Sequence, residues 1–343
     1  MNIADDCQFH GHVVRLAPAG VNARRMSGGD RTVGAAILGV MNESDPKTAL
    51  VTGGTGFVGR AVVDELLADG WQVAVLTRDG AAAGQTLPEA VTCHESMDDC
   101  PLTAAVINLA GENLGAKRWN AARKQAFVDS RVGMTRALVD AMAGCEYRPE
   151  VLVNGSAVGF YGACGDEAID EQSPAGDEYQ SRLCQAWEAE ARRASDLGVR
   201  VAVVRIGAVL GVRQGALSEL VPPFRFGLGG PQGSGRQWLS WIHRQDLARA
   251  IVFLVNNPDC DGVYNATAPH PVRNREFARA LGRVLRRPAL LPLPGPVLRL
   301  IAGEMAHLVL TGQKVLPSRL LAAGFEFRYP DLEPALREIL ARW

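Results

Sequence analysis

A cluster of glycines marks the part of the sequence best suited to bind phosphate groups. It follows the apolar run at residues 49–51 and precedes a helical pattern, and its members are Gly53, Gly54, Gly56 and Gly59. Glycine allows a tight turn and lets backbone N–H groups approach a ligand closely. Because N–H groups at a helix N-terminus attract anions, this order of strand, turn and helix predicts a site for a dinucleotide pyrophosphate.

The surrounding pattern separates this site from an ordinary glycine-rich turn, which is the alternative. The spacing is G-x-x-G-x-x-G rather than G-x-G-x-x-G, and glycines alone are weak evidence. Here, however, Gly70 ends the helical pattern and a second apolar strand follows at residues 72–76. This completes a strand–helix–strand unit. The residues that we expect to contact the cofactor in this turn are Gly53, Thr55, Gly56, Phe57, Val58 and Gly59.

The end of the second strand favours NADP(H) over NAD(H). An NAD site usually carries an acidic residue there, which binds the ribose 2′-hydroxyl. This chain has Thr77 and Arg78 instead. A guanidinium group can form paired hydrogen bonds with a 2′-phosphate. The alternative for Arg78 is a solvated surface arginine.

A second small-residue turn follows the apolar stretch at residues 104–109. Its sequence, Asn-Leu-Ala-Gly, lets the chain pass close to a cofactor at the carboxyl edge of a sheet. The residues that we expect to contact the cofactor there are Leu109, Ala110 and Gly111.

Composition sets limits on the partners. Apolar residues make up 47% of the chain, charged residues 21%, and the net charge is −1, so neither nucleic acid nor a membrane is expected as the partner. The seven cysteines are scattered and the histidines form no metal-ligand cluster, which fits a reduced, cytoplasmic protein without a metal site. The expected partner is a small-molecule substrate or regulatory ligand. A homodimer is a possible assembly.

The order of elements predicts an α/β fold. Apolar strands alternate with helical patterns, among them a long helix at residues 119–143, and this alternation is typical of a doubly wound parallel sheet. We divide the chain into an N-terminal extension without periodicity (1–46), a cofactor domain (47–210 with about 244–265) and a smaller, mainly helical substrate lobe (211–243 and 266–343). Glycine and proline predict a loop at 221–235 that covers a pocket.

From about residue 48 to its end, the chain resembles the extended or atypical short-chain dehydrogenase/reductases. More narrowly, it is similar to epimerase family proteins of the NAD-dependent epimerase/dehydratase type that carry an extra C-terminal domain of unknown function. The matching motifs include the glycine cluster with Phe57 and Val58, the turn at 108–112, the pair Ser130 and Arg131, and residues 229–243. The resemblance implies a Rossmann-type cofactor domain, a C-terminal lobe and a substrate pocket between them. It implies no assigned reaction.

The usual catalytic pair of the resembled family is missing. Short-chain dehydrogenases normally place a tyrosine four residues before a lysine that lowers the tyrosine pKa. None of the five tyrosines has a lysine at that spacing; they are Tyr147, Tyr161, Tyr179, Tyr264 and Tyr329. Alignment on Glu188 places Cys184 at the lysine position and Gln180 at the tyrosine position. Hydride transfer assisted by an ordinary Tyr/Lys pair is therefore not expected.

Three other residues are candidates for catalysis, each with a structural alternative. Tyr161 and Ser156 follow or end a predicted strand, where ligands bind, and Lys124 lies on the helix expected beside the cofactor. Tyr161 could instead pack beneath the pocket, and Lys124 could form a surface ion pair. Arg205, at the end of a buried strand, suits a structural ion pair better than substrate binding.

Two functions fit these patterns. One is an NADP(H)-dependent oxidoreductase or epimerase-like enzyme that uses a non-standard proton donor on a small carbonyl, polyol or sugar-nucleotide-like substrate. The other is a non-catalytic regulatory or assembly protein that responds to NADP(H).

Overall fold

The fold is built on a parallel sheet of seven strands, in a computed structural model that describes residues 47–97 and 104–343. The extension predicted at residues 1–46 lies outside the described residues. The strands are β1 Thr48–Thr52, β2 Gln72–Leu76, β3 Val91–His94, β4 Ala105–Asn108, β5 Val151–Ala157, β6 Ala168–Ile169, β7 Arg200–Ile206, β8 Ala208–Gly211, β9 Gln214–Gly215, β10 Trp238–Leu239, β11 Trp241–His243, β12 Gly262–Ala266, β13 Val272–Arg273 and β14 Lys314–Val315.

The helices alternate with the strands of the large sheet and then dominate the C-terminal part. They are α1 Phe57–Ala68, α2 Gly80–Gly84, α3 Ala121–Val128, α4 Met134–Gly144, α5 Tyr179–Arg192, α6 Leu217–Arg225, α7 Arg244–Asn256, α8 Asn274–Leu285, α9 Gly295–Ala302, α10 His307–Leu310, α11 Ser318–Ala322 and α12 Leu332–Ala341. Within the described ranges, no helix is both long and apolar enough to cross a membrane.

The large sheet has the order β12-β7-β5-β4-β1-β2-β3, so the strand order reverses between β1 and β4. Alternate side chains of its strands face opposite layers. Val51 packs in the same core as Val62 of α1 and Ile251 of α7, whereas Leu50 packs with Leu138 of α4 on the other face. Helices therefore cover both faces, and the predicted α/β doubly wound sheet is confirmed. In such sheets the ligand crevice lies at the carboxyl ends of the strands where the order reverses.

Residues 119–143 do not form the single regular helix that the sequence predicts. Helix α3 ends at Val128, a π-helical turn occupies Asp129–Gly133, and α4 follows. A π turn contains one residue more than an α turn and often lies at a functional site. Here the Ser130 hydroxyl accepts a hydrogen bond from the backbone N–H of Glu112, which ties the turn to the loop after β4.

The loop predicted at 221–235 is partly wrong, because its first residues belong to helix α6. This helix contains Pro222 and Pro223, although proline normally disfavours a helix interior. Burial of Leu217, Val221 and Phe224 on one face stabilises it despite the missing donors.

A second core joins the C-terminal helices. Trp241 on β11, Phe277 on α8 and Leu336 on α12 are buried together there. Strand β14 pairs with β6, so the C-terminal part is also tied to the chain that follows β5. The domain boundaries given above remain a prediction, although β12 does pair with β7 in the large sheet.

Candidate cofactor and substrate site

The turn at residues 53–59, here called the glycine turn, packs tightly against the chain that follows β4. Gly53 has a φ of +70°, and a Cβ atom there would lie 2.6 Å from the carbonyl oxygen of Leu109. A Cβ atom on Gly59 would lie 2.1 Å from the carbonyl oxygen of Gly53. Side chains at these two positions would therefore separate strand, turn and helix, which explains why glycine is needed.

The N-terminus of α1 is open to an anion. Its N-cap residue is Gly56, which has no side chain to occupy the first-turn N–H groups, and the first turn contains no acidic residue. These donors and the helix dipole favour negative charge at this position. Of the glycine turn, Gly53 approaches Leu109 and Ala110 of residues 109–111, here called the second turn.

A buried hydrogen-bond network positions the second turn. The Thr52 hydroxyl donates to Oδ1 of Asn108 (2.6 Å), and the Asn108 amide donates to Oδ1 of Asn154 (2.6 Å) and to the Thr135 hydroxyl (2.7 Å). The N–H of Ala110 donates to the Thr52 hydroxyl. Because these groups are buried and paired, the carboxyl ends of β1, β4 and β5 are held in a fixed arrangement.

Arg78 lies at the carboxyl end of β2 and is exposed. Its neighbour Asp79 accepts a hydrogen bond from the N–H of Ala82 and so caps α2 rather than pairing with the arginine. In the described part of the chain, Arg78 has no ion pair. Its guanidinium is therefore available to an anionic group beside the glycine turn.

Tyr161 and Ser156 lie together in a buried polar network. The Tyr161 hydroxyl donates to Oδ1 of Asn265 (2.7 Å) and accepts from Nη1 of Arg205 (2.9 Å). The Ser156 hydroxyl donates to Oε1 of Glu188 (2.7 Å). Tyr161 is only 3% exposed, and burial raises its pKa. These contacts resemble those of packing residues more than those of groups open to substrate.

Lys124 lies apart from that network. Its Nζ atom is 2.6 Å from Oε2 of Glu304 and 5.0 Å from the ring centroid of Tyr179. The Tyr179 hydroxyl in turn donates to the backbone carbonyl of Lys124. Lys124 therefore joins α3 to the C-terminal segment and does not contact Tyr161 or Ser156.

Gln180 and Cys184, which the alignment on Glu188 places at the positions of the missing catalytic pair, both lie on α5. Burial raises the pKa of the Cys184 thiol to about 11, so the thiol is neutral. The Gln180 amide donates to Oε2 of Glu178 (2.5 Å), which also lies 2.9 Å from Nε2 of His307.

Sequence reasoning missed the pair of Glu178 and His307. It lies in two segments that are distant in sequence, and no local pattern joins them. The sequence likewise indicates no role for Arg131 beyond its place in a motif that matches the family. Among the described residues, no group of three His, Cys, Asp or Glu side chains is arranged to hold a metal ion.

Comparison with known proteins places these features in a family. The model of the NAD dependent epimerase/dehydratase family matches residues 49–267, and a domain of unknown function (DUF1731) matches residues 293–339. The epimerase family protein SDR39U1 homolog, chloroplastic, of Arabidopsis thaliana is 44% identical over 313 residues, which are 89% of this chain and 90% of that protein.

Two solved structures share the fold. The crystal structure of human epimerase family protein SDR39U1 (isoform 2) with NADPH has a TM-score of 0.79 at 36% identity and covers 86% of this chain and 100% of that one. The nucleoside-diphosphate sugar epimerase of Corynebacterium glutamicum has a TM-score of 0.69 at 30% identity, covering 87% of this chain and 59% of that one.

Proposed function

The chain belongs to the NAD-dependent epimerase/dehydratase family, and we propose that it binds NADP(H) and acts on a small carbonyl, polyol or sugar-nucleotide-like molecule. The reaction would be of the epimerase or oxidoreductase type. A bound nicotinamide would supply or accept a hydride. The chain itself must hold the dinucleotide, orient the substrate and transfer a proton.

The guanidinium of Arg78, which is exposed next to the glycine turn and has no ion pair with any residue that the structure describes, is the observation that carries the NADP(H) assignment. A 2′-phosphate on the adenosine ribose would give this cation a partner, whereas a 2′-hydroxyl would not. The human relative crystallised with NADPH supports the same choice. The residues that would hold the dinucleotide are those of the glycine turn, the second turn and Arg78.

For proton transfer we add Glu178 and His307 to the three residues predicted from the sequence. Both are partly exposed, and both lie at the junction of the two parts of the chain, beside Gln180. A carboxylate and an imidazole in contact can pass a proton near neutral pH. The catalytic roles predicted for Tyr161, Lys124 and Ser156 remain proposals.

Equilibrium titration and a turnover assay test this function. Wild-type protein should bind NADPH at micromolar concentration, more tightly than NADH, and should change nicotinamide absorbance with one class among carbonyls, polyols and sugar nucleotides. His307→Asn should then slow turnover without changing NADPH affinity. Failure to bind NADPH would contradict the proposal.

The residues that stand in place of the usual Tyr/Lys pair favour a second function. Gln180 has no titratable group and Cys184 is buried as a neutral thiol, so the chain could bind NADP(H) as a regulatory or assembly protein without turnover. Tight NADPH binding with no reaction across the whole substrate panel would support this second function. Location in the cytoplasm and a homodimer remain predictions, and one relative is named as chloroplastic.

A further inference from the structure

The side chain of Arg131 lies against the second turn. Arg131 belongs to the π-helical turn between α3 and α4, and a Cβ atom added to Gly111 would lie 3.0 Å from its Cζ atom. Its guanidinium also lies over the indole of Trp187, with 5.3 Å from Cζ to the ring centroid. The wide turn therefore directs this cation to the carboxyl edge of the sheet, beside the expected cofactor site.

This guanidinium has no hydrogen-bond acceptor in the described part of the protein. Its Nη1 atom is buried and unpaired. The nearby carboxylate of Glu112 is bound by Arg123 at 3.0 Å, and the other titratable neighbours are Cys184 and Tyr179. Burial lowers the pKa of Arg131, but an arginine stays protonated at neutral pH.

The buried, unpaired Nη1 atom of Arg131 is destabilising unless it finds a hydrogen-bond acceptor. An unsatisfied buried donor destabilises a protein, more so when it is charged. Arg205, an arginine that is buried as a whole, has a carboxylate partner in Glu188. The contrast between the two arginines indicates that oxygen atoms of a ligand complete the surroundings of Arg131.

The strand order identifies which ligand oxygens lie nearest. Neighbouring strands run β2, β1, β4, β5 across the sheet. Arg78 at β2 would hold the adenosine end, and the glycine turn after β1 would hold the pyrophosphate. Arg131 lies beyond both, between the turn after β4 and Trp187, which packs against Gly155 of β5.

We propose that Arg131 binds the ribose of the nicotinamide half of the dinucleotide and donates hydrogen bonds to its hydroxyl oxygens. This inference rests on the proposed function. Helix α5 supplies no cation at this place, since Cys184 stands there as a buried thiol. Arg131 fixes the position of the nicotinamide and, because it cannot give up its proton, takes no part in proton transfer.

Binding of three probes to the full chain tests the proposal. The probes are NADPH, NADH and adenosine 2′,5′-bisphosphate, which lacks the nicotinamide and its ribose. Arg131→Met should weaken NADPH and NADH binding by a similar factor of about tenfold or more, the effect of losing charge-assisted hydrogen bonds. Binding of the bisphosphate should change by less than about twofold. Arg131→Lys should recover part of the loss, because it restores the charge.

Arg136→Met is the matched control, since Arg136 is half-exposed on the adjoining helix α4 and pairs with Glu190. It should leave all three affinities unchanged, and thermal unfolding should show that every variant is folded. Unchanged NADPH affinity in Arg131→Met would overturn the proposal and point to substrate as the partner. Equal weakening of NADPH and the bisphosphate would overturn it in favour of a structural role. If wild type binds neither nucleotide, the proposed function itself fails.

Discussion

The guanidinium of Arg205 binds the carboxylate of Glu188 through two hydrogen bonds, of 2.8 and 2.9 Å, and the side chains are 3% and 0% exposed. The same guanidinium donates to the Tyr161 hydroxyl and lies over the ring of Phe160, 3.3 Å from its centroid. Strand β7 and helix α5 are thereby joined. The structural ion pair expected for Arg205 is present.

Arg205→Met should lower the free energy of unfolding by about 3 kcal/mol, because it leaves the buried Glu188 carboxylate without its main partner. Urea unfolding at neutral pH measures this loss. Arg283→Met is the control: its pair with Glu333 is exposed, so the loss should stay below about 1 kcal/mol. Similar losses in the two variants would show that the buried Arg205 pair contributes no more to the free energy of unfolding than an exposed pair.

Cys184 should resist alkylation in the native protein. Since burial raises its pKa from 9.0 to about 11, its reactive thiolate is about a hundredfold less populated at neutral pH. Iodoacetamide labelling followed by peptide mass spectrometry should show unmodified Cys184 beside modified Cys145, which is partly exposed. After denaturation both should react. Rapid native labelling of Cys184 would instead support a nucleophilic role for this thiol.

His243 should make stability depend on pH. Its Nδ1 atom accepts a hydrogen bond from the N–H of Gln245, and its Nε2 atom lies 3.0 Å from Oε2 of Glu338. Burial lowers its pKa below 6.5, in spite of the nearby Glu338. A proton on Nδ1 would also remove the acceptor that caps α7, which is why we favour the neutral ring.

Because the unfolded chain then binds the proton more readily than the folded one, stability should fall as the pH decreases below about 6.5. Between about pH 7.5 and 5.5, His243→Asn should reduce this fall by about 1 kcal/mol, since asparagine keeps a capping oxygen but does not titrate. Urea unfolding at the two pH values measures the difference. An unaltered fall in His243→Asn would contradict the assignment.

The features that the sequence predicted well depend on residues close together in the chain. The glycine turn needs only a strand, a run of glycines and a helix in order, and each of these leaves a local pattern. The position of Arg78 follows from the end of β2 in the same way. The contact of Gly53 with residue 109 joins distant segments and was not predicted. The tight turn alone, however, already requires a glycine at position 53.

The features that the sequence did not predict depend on contacts between distant segments. His307 meets Glu178 only after the C-terminal part folds back across the sheet edge. Arg131 points at the second turn because the helix widens into a π turn, which the sequence pattern does not predict. Helix α6 forms in spite of two prolines, since tertiary burial of its apolar face outweighs local propensity.

Arg78→Ala should separate the two dinucleotides. Removing the guanidinium should weaken NADPH binding by about 1.5–3 kcal/mol, the size of a charge-assisted hydrogen-bond contact. NADH lacks the 2′-phosphate, so its affinity should hardly change. Titration of both dinucleotides by calorimetry or by protein fluorescence measures the two effects, and rising salt should weaken NADPH binding more than NADH binding.

Arg279→Ala provides the control for this prediction, because Arg279 is an arginine on α8, away from the glycine turn, and its loss should affect neither dinucleotide. Arg78→Glu should weaken NADPH further than alanine does, since it places a negative charge beside the phosphate, whereas NADH could then gain a hydrogen bond to its 2′-hydroxyl. Equal losses for NADPH and NADH in Arg78→Ala would mean that Arg78 supports the fold of the turn. The 2′-phosphate would then need another partner.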